Sequence, residues 1–143
     1  MEKLPPIEKI YEAYSAIADN RIIINTENAN ITSSNREKEY IVAWKENIYA
    51  SNDSASYWQG YSGYPVIAVL MLQGKLSLNR NIANLFKGIN WTALNKKHKR
   101  NYSEAVNEVI SNMNEDKQMI ENEVNSVYEE IKKLDIIIKR TLS

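Results

Sequence analysis

Apolar residues recur about every seven positions through the last third of this chain, in two interleaved series typical of a packed helix. A continuous helix over residues 103–139 would be about 55 Å long, whereas a compact domain of this size is about 40 Å across. We therefore expect a break near Asn112-Met113-Asn114, or else a projecting helix that pairs through residues 115–140 as a coiled-coil-like extension. We favour the break. The periodic residues are Val106, Val109, Met113, Ile120, Val124, Val127, Ile131, Leu134 and Ile138.

The first part of the chain predicts one helix followed by a small antiparallel sheet. Apolar residues at spacings of three and four over residues 7–18 predict an amphipathic helix. After it come segments rich in β-branched and aromatic residues, at 22–24, 40–44 and 48–51, with a short candidate strand at Ile31-Thr32. Because the connections between them are short, we expect a meander of three or four antiparallel strands.

Residues 66–73 are apolar on almost every side, which predicts a helix buried against the meander. Ser77, Asn90 and either Asn101 or Ser103 are candidate N-caps for the helices that follow. The sequence therefore predicts an α+β fold with an N-terminal helix, the meander, a buried helix and a helical C-terminal half. We expect a single domain over residues 1–143, in which 1–77 carry the sheet and 78–143 are helical.

Cysteine is absent and His98 is the only histidine, so the chain lacks disulfide bonds, thiolate chemistry and sulfur-ligated or two-histidine metal sites. We expect neither a metal nor a cofactor. The N-terminus shows no basic region followed by an apolar core, and the longest apolar run covers 7 residues where a membrane span needs about 20. These features predict a cytoplasmic protein with no membrane partner.

Charge is balanced over the whole chain but uneven along it. Residues 78–101, which we call the basic window, contain six lysines and arginines and no acidic residue, whereas nine acidic residues follow from Tyr102 onward. The basic window reads as two short helices joined at Gly88, a loose helix-turn-helix outline that could neutralise nucleic-acid phosphates. Alternatively, it pairs with the acidic final helix. The candidate nucleic-acid-binding residues are Arg80, Lys87, Lys96, Lys97, Lys99 and Arg100.

Aromatic residues are concentrated around a loop with two glycines that precedes the buried helix. Such side chains can stack nucleobases or bind a partner, although aromatic residues beside a meander also commonly anchor the core. The cluster consists of Tyr49, Tyr57, Trp58, Tyr61 and Tyr64. Asp53 lies among serines without a nearby base in sequence, and His98 lies among cations that disfavour its charged form. We therefore predict no catalytic residue and a non-enzymatic protein.

The segment from about residue 21 to residue 72 resembles a SWIM-type zinc finger that has lost its ligands. Residues 40–44 and 48–49 correspond to the hairpin of that family, and residues 66–70 to its apolar helix. Ser51, Asp53, Gly63 and Pro65 stand where the four metal ligands would be. The resemblance implies a ββα unit that binds nucleic acid or protein without zinc, with Tyr57, Trp58, Tyr61 and Tyr64 packing in place of the metal.

Two functional hypotheses follow from these patterns. The first is a nucleic-acid-binding module that uses the basic window. The second is a protein-interaction or oligomerisation protein that self-associates through the C-terminal helix. The apolar residues of that second surface are Ile120, Val124, Val127, Ile131, Leu134 and Ile138.

Overall fold

The computed structural model describes residues 2–142, so that Met1 and Ser143, the ends of the predicted domain, lie outside the described residues. The fold is α+β, as the sequence predicts, with its helices mostly in the C-terminal half. The elements follow in the order α1 Lys9–Ala18, β1 Ile22–Ile24, β2 Asn28–Thr32, β3 Glu39–Lys45, β4 Ile48–Ser51, a π-helix Ala55–Gln59, α2 Tyr64–Leu72, α3 Arg80–Asn84, α4 Trp91–Lys97, α5 Tyr102–Ser111, α6 Lys117–Lys133 and β5 Ile137–Lys139.

The sheet has the strand order β1-β2-β3-β4-β5. The first four strands form the predicted antiparallel meander, in which Ala29 pairs with Val42 and Val42 with Ser51. β5 adds to the free edge of β4 in parallel, with Ile138 opposite Tyr49. Because side chains alternate between the two faces of a strand, Ala29, Val42 and Tyr49 face the core together.

Helices α1 and α2 form the centre of the molecule. α2 is apolar throughout and packs on β3 and β4, while α1 packs on α2, α3 and α6. Every residue of α1 is buried, including Lys9 and Glu12. The predicted amphipathic helix forms, but its polar side is buried as well, because later parts of the chain cover it.

The expected break in the C-terminal helix is confirmed. α5 ends at Ser111, and α6 begins after Asp116, whose side chain accepts hydrogen bonds from the backbone N–H groups of Gln118 and Met119. The extension of that helix to residue 139 is wrong, since α6 ends at Lys133 and the chain then enters the sheet as β5. The apolar stripe of α6 faces its own domain, where Ile120, Val124, Val127 and Ile131 are buried.

The largely buried side chain of Tyr11 makes stability sensitive to alkaline pH. Burial, together with the nearby Glu121 and Glu8, raises the pKa of Tyr11 to about 12. Between pH 10 and 12 the unfolded chain therefore releases a proton that the folded protein keeps, and the free energy of unfolding falls by up to about 1.4 kcal/mol per pH unit from this group. In urea denaturation at pH 9 to 11, we expect Tyr11→Phe to flatten this loss. An equal slope for both proteins would contradict the expectation.

Candidate functional site

The basic window is held to the rest of the molecule by buried contacts that leave its cations outside. Trp91 and Phe86 are buried against α1. The Trp91 Nε1–H group donates a 2.7 Å hydrogen bond to Ser15 Oγ, which donates a 2.6 Å hydrogen bond to the Phe86 carbonyl. All six predicted nucleic-acid-binding residues of the window are exposed.

One cation of the basic window pairs with the acidic part of the chain. Lys97 Nζ lies 2.6 Å from Glu108 Oε1 on α5, and the His98 ring lies 3.2 Å from the same oxygen. Hydrogen bonding to Lys97 lowers the pKa of Glu108. Over residues 2–142 the other five cations of the window make no ion pair. Within residues 2–142, the predicted pairing of the basic window with the acidic part of the chain is therefore limited to Lys97 and His98, which lie against carboxylates of α5.

The two short helices of the basic window do not pack as a helix-turn-helix. α3 packs mainly on α1, and α4 mainly on α5. A helix-turn-helix requires its two helices to brace one another so that the second can enter a groove of DNA. The geometry expected for major-groove recognition is therefore not formed.

A cleft of about 800 Å³ lies where α1, α4, the π-helix and the start of α2 meet. Its rim, which we define as the exposed residues Trp58, Lys96 and Arg100, combines one aromatic side chain of the predicted cluster with two cations of the basic window. Tyr61 and Tyr64 from the same aromatic cluster line its wall. The wall is completed by Tyr40, Trp91 and Tyr102.

The remaining predicted residues lie elsewhere. Arg80, Lys87, Lys97 and Lys99 do not line the cleft. Tyr49 belongs to the core, where its hydroxyl donates a 2.6 Å hydrogen bond to Gln73. Tyr57 packs edge-on against Trp58, with the Arg140 guanidinium 5.1 Å from its ring centroid. The fold thus brings two of the six predicted cations and three of the five predicted aromatic residues together in the cleft.

The floor of the cleft, which we define as Lys9, Glu12, Arg21 and Asp53, consists of charged residues that are each less than a tenth exposed. Lys9 Nζ lies 3.4 Å from Glu12 Oε2 and 4.2 Å from the centroid of the Tyr102 ring. Burial acts against the charge of Lys9, but the nearby Glu12, with Tyr102 and Tyr61, outweighs it, and the pKa of Lys9 is raised.

Burial raises the pKa of Glu12, while the ammonium of Lys9 and the side chain of Asn95 act in the opposite direction. Asn95 Nδ2 donates a 3.3 Å hydrogen bond to Glu12 Oε1. Deeper in the floor, Arg21 Nε donates to Asp19 and Nη1 donates to the Thr32 carbonyl, whereas its buried Nη2 has no hydrogen-bond partner within residues 2–142. The floor is therefore polar, charged and closely packed.

Comparison with known protein families found a match that covers most of this chain. Residues 2–137 match the family described as Uncharacterised conserved protein UCP014422. The chain belongs to that family. The match spans every residue that lines the cleft, from Lys9 to Tyr102. Comparisons with curated proteins and with solved structures found no match.

Asp53 of this UCP014422 member, in the floor of the cleft, holds two parts of the chain together. Its Oδ1 accepts a 2.5 Å hydrogen bond from Ser51 Oγ, and its Oδ2 accepts one from the Ser56 N–H group. Ser56 Oγ accepts a further hydrogen bond, from Gly63 N. These bonds join the end of β4 to the start of α2, and each oxygen of the carboxylate has a donor within the protein.

Three of the four positions of the SWIM-like pattern, Ser51, Asp53 and Gly63, thus lie in one hydrogen-bonded cluster, and Pro65 lies in the first turn of α2. The relationship to SWIM-type proteins stays a prediction. Of the aromatic residues expected to fasten the hairpin, Tyr64 packs edge-on against Tyr40, but Trp58 is 66% exposed. Residues 2–142 contain no group of three histidine, aspartate or glutamate side chains arranged to hold a metal ion.

None of the helices formed by residues 2–142 has the length and apolar character that a membrane crossing requires. The most apolar helix, α2, has 9 residues and lies in the core.

Proposed function

We propose that this protein binds single-stranded nucleic acid across the cleft and does so without catalysis. The observation that carries the proposal is the composition of the rim, where Lys96 and Arg100 lie unpaired on the same cleft as the exposed Trp58. Cations that follow the phosphates and aromatic rings that stack the bases are the two elements of single-strand binding.

A single strand fits this surface better than a duplex. In a duplex the faces of the bases are stacked on one another, so that aromatic side chains cannot reach them. The cleft is concave and its wall carries Tyr61 and Tyr102, whereas α4 is a helix of only 7 residues. Such a surface suits unstacked bases that turn inward while the phosphates stay at the rim.

The two side chains that the sequence offered for acid–base chemistry, Asp53 and His98, already have partners within the protein, which supports a binding role. Asp53 is held by hydrogen bonds from Ser51 and Ser56. His98 lies between Glu104 and Glu108, away from the lining of the cleft. Neither group is placed to abstract a proton from a ligand in the cleft.

The proposal is tested by removing the two rim cations. We expect Lys96→Gln/Arg100→Gln to weaken binding of a fluorescent oligothymidylate or oligouridylate by about tenfold near 0.1 M salt, measured by anisotropy. The slope of log K against log salt should fall by about 1.4, because about 0.7 counterions are released per single-strand phosphate contact.

The matched control is Lys87→Gln/Lys99→Gln, which removes the same charge from the same basic window outside the cleft. It also changes one residue with positive φ, Lys99, as the test variant does at Arg100. Binding that is independent of salt, or equal losses for both double variants, would contradict the proposed site.

Self-association through the C-terminal heptads stays a prediction. The apolar side chains that would form the seam on α6, among them Ile120, Val124, Val127 and Ile131, are already buried within one chain. Light scattering measures this directly.

A further inference from the structure

The floor of the cleft presents a buried donor and a buried acceptor side by side. Lys9 is 9% exposed and Glu12 is 7% exposed, and both lie on the first turn of α1 facing the cleft. The Lys9 ammonium carries three N–H groups, and within residues 2–142 its partners are Glu12 Oε2, 3.4 Å away, and the face of the Tyr102 ring. Three N–H groups and two carboxylate oxygens offer more hydrogen bonds than these partners use, and because the pair lines the cleft, that capacity is open to a ligand with matching polar groups.

An amide and two aromatic side chains flank this pair. Asn95 donates to Glu12 Oε1 and leaves Oε2 beside Lys9. The ring of Tyr102 lies against the Lys9 ammonium, and Tyr61 lines the same part of the cleft. A planar ligand can therefore stack on an aromatic ring while its edge meets the Lys9–Glu12 pair.

We infer that the floor of the cleft binds a guanine base, with Lys9 donating to O6 and the Glu12 carboxylate accepting from N1–H and the N2 amino group. This inference rests on the proposed function and specifies the base that the single strand places in the floor. A carboxylate accepts two parallel hydrogen bonds only from two adjacent donors. Of the common bases, guanine is the one whose Watson–Crick edge carries two adjacent donors next to an acceptor.

A phosphate fits the floor less well than a base. An anion beside Lys9 would also face the Glu12 and Asp53 carboxylates, both buried and lining the same cleft. The exposed cations Lys96 and Arg100 lie at the rim, where phosphates keep their contact with water. A neutral base inside and charged phosphates outside therefore match the distribution of charge.

The test compares oligothymidylates of about ten nucleotides that differ at one central position. We expect a single dG to raise the affinity about tenfold over dT, a central deoxyinosine, which lacks the N2 amino group, to give an intermediate affinity, and dA to give no gain. Equal affinities for the dG and dT strands would overturn the guanine inference and leave the proposed function standing. Absence of binding to every strand would overturn both.

Glu12→Gln provides the second arm of the test. Glutamine can still accept the hydrogen bond from Asn95 but cannot accept from two donors of the base, so the dG strand should bind like the dT strand. Glu104→Gln is the control, because it removes the same charge at an exposed residue outside the cleft. A preference for dG that survives in folded Glu12→Gln would overturn the assignment to Glu12, and if that variant does not fold, the comparison of strands on the unmodified protein decides.

Discussion

Gly63→Ala is expected to destabilise the protein by about 3 kcal/mol, measured by urea denaturation. Gly63 has φ −75° and ψ 175°, which any residue adopts, so the backbone conformation does not require glycine. The reason is space. A Cβ atom at this position would overlap Asp53 Oδ2 and lie 3.2 Å from the Ala55 Cβ. The Asp53 carboxylate cannot move away without breaking its buried hydrogen bonds to Ser51 and Ser56.

Gly60→Ala separates space from backbone strain. Gly60 has φ 75°, and a Cβ there would meet no atom within 4 Å, so that the cost is the left-handed conformation alone, about 1 kcal/mol. Adding Asp53→Ser to Gly63→Ala should recover part of the loss, because the smaller side chain vacates the overlap. Equal stabilities of the Gly63→Ala and Gly60→Ala variants would show that the Asp53 side chain moves aside at little cost. The hydrogen bonds of Asp53 would then not fix the start of α2.

Local signals were sufficient for most elements of this fold. The β4 strand is predicted at residues 48–51 and forms there, since turn residues bound it on both sides. Asn90 and Asn101 cap α4 and α5 as expected, with each side-chain oxygen accepting from a backbone N–H group three residues on. Ser77 is not a cap. Asn79 caps α3 instead, and the Ser77 N–H group donates to Glu130 of α6, a partner that sequence spacing cannot show.

The β5 strand could not be found from its own residues. Ile136, Ile137 and Ile138 fit the end of a heptad pattern and also suit a strand. These residues form a strand because the edge of β4 is open to pair with Ile137 and Ile138 after the chain has returned along α6. A contact between segments so far apart in sequence leaves no periodic signal.

The rim and the floor of the cleft differ in how well the sequence predicts them. Lys96 and Arg100 are exposed and belong to a run of cations, so composition alone identifies them. Lys9 and Glu12 look like the polar face of an amphipathic helix, and their burial depends on Asn95 and Tyr102, which lie far along the chain. The charged floor is therefore a product of tertiary packing.

Ser15→Ala is expected to cost about 2–4 kcal/mol, because one hydroxyl links α1 to both buried aromatic residues of the basic window. Ser15 is completely buried, and its removal would leave the Trp91 Nε1–H group and the Phe86 carbonyl without their partner in the core. Ser126→Ala is the control, since Ser126 is exposed on α6 and alanine is the better helix former. Urea denaturation measures both variants.

A double-mutant cycle of Ser15→Ala with Trp91→Phe isolates the hydrogen bond from the packing of the rings. Phenylalanine removes the indole N–H group, so the double variant should be destabilised by less than the sum of the two single losses. Strictly additive losses would show that the apolar contacts of Phe86 and Trp91 alone attach the basic window to α1. A double loss smaller than the sum assigns that attachment in part to the Ser15 hydroxyl. The same hydroxyl then also positions α4, whose Asn95 and Lys96 line one side of the cleft.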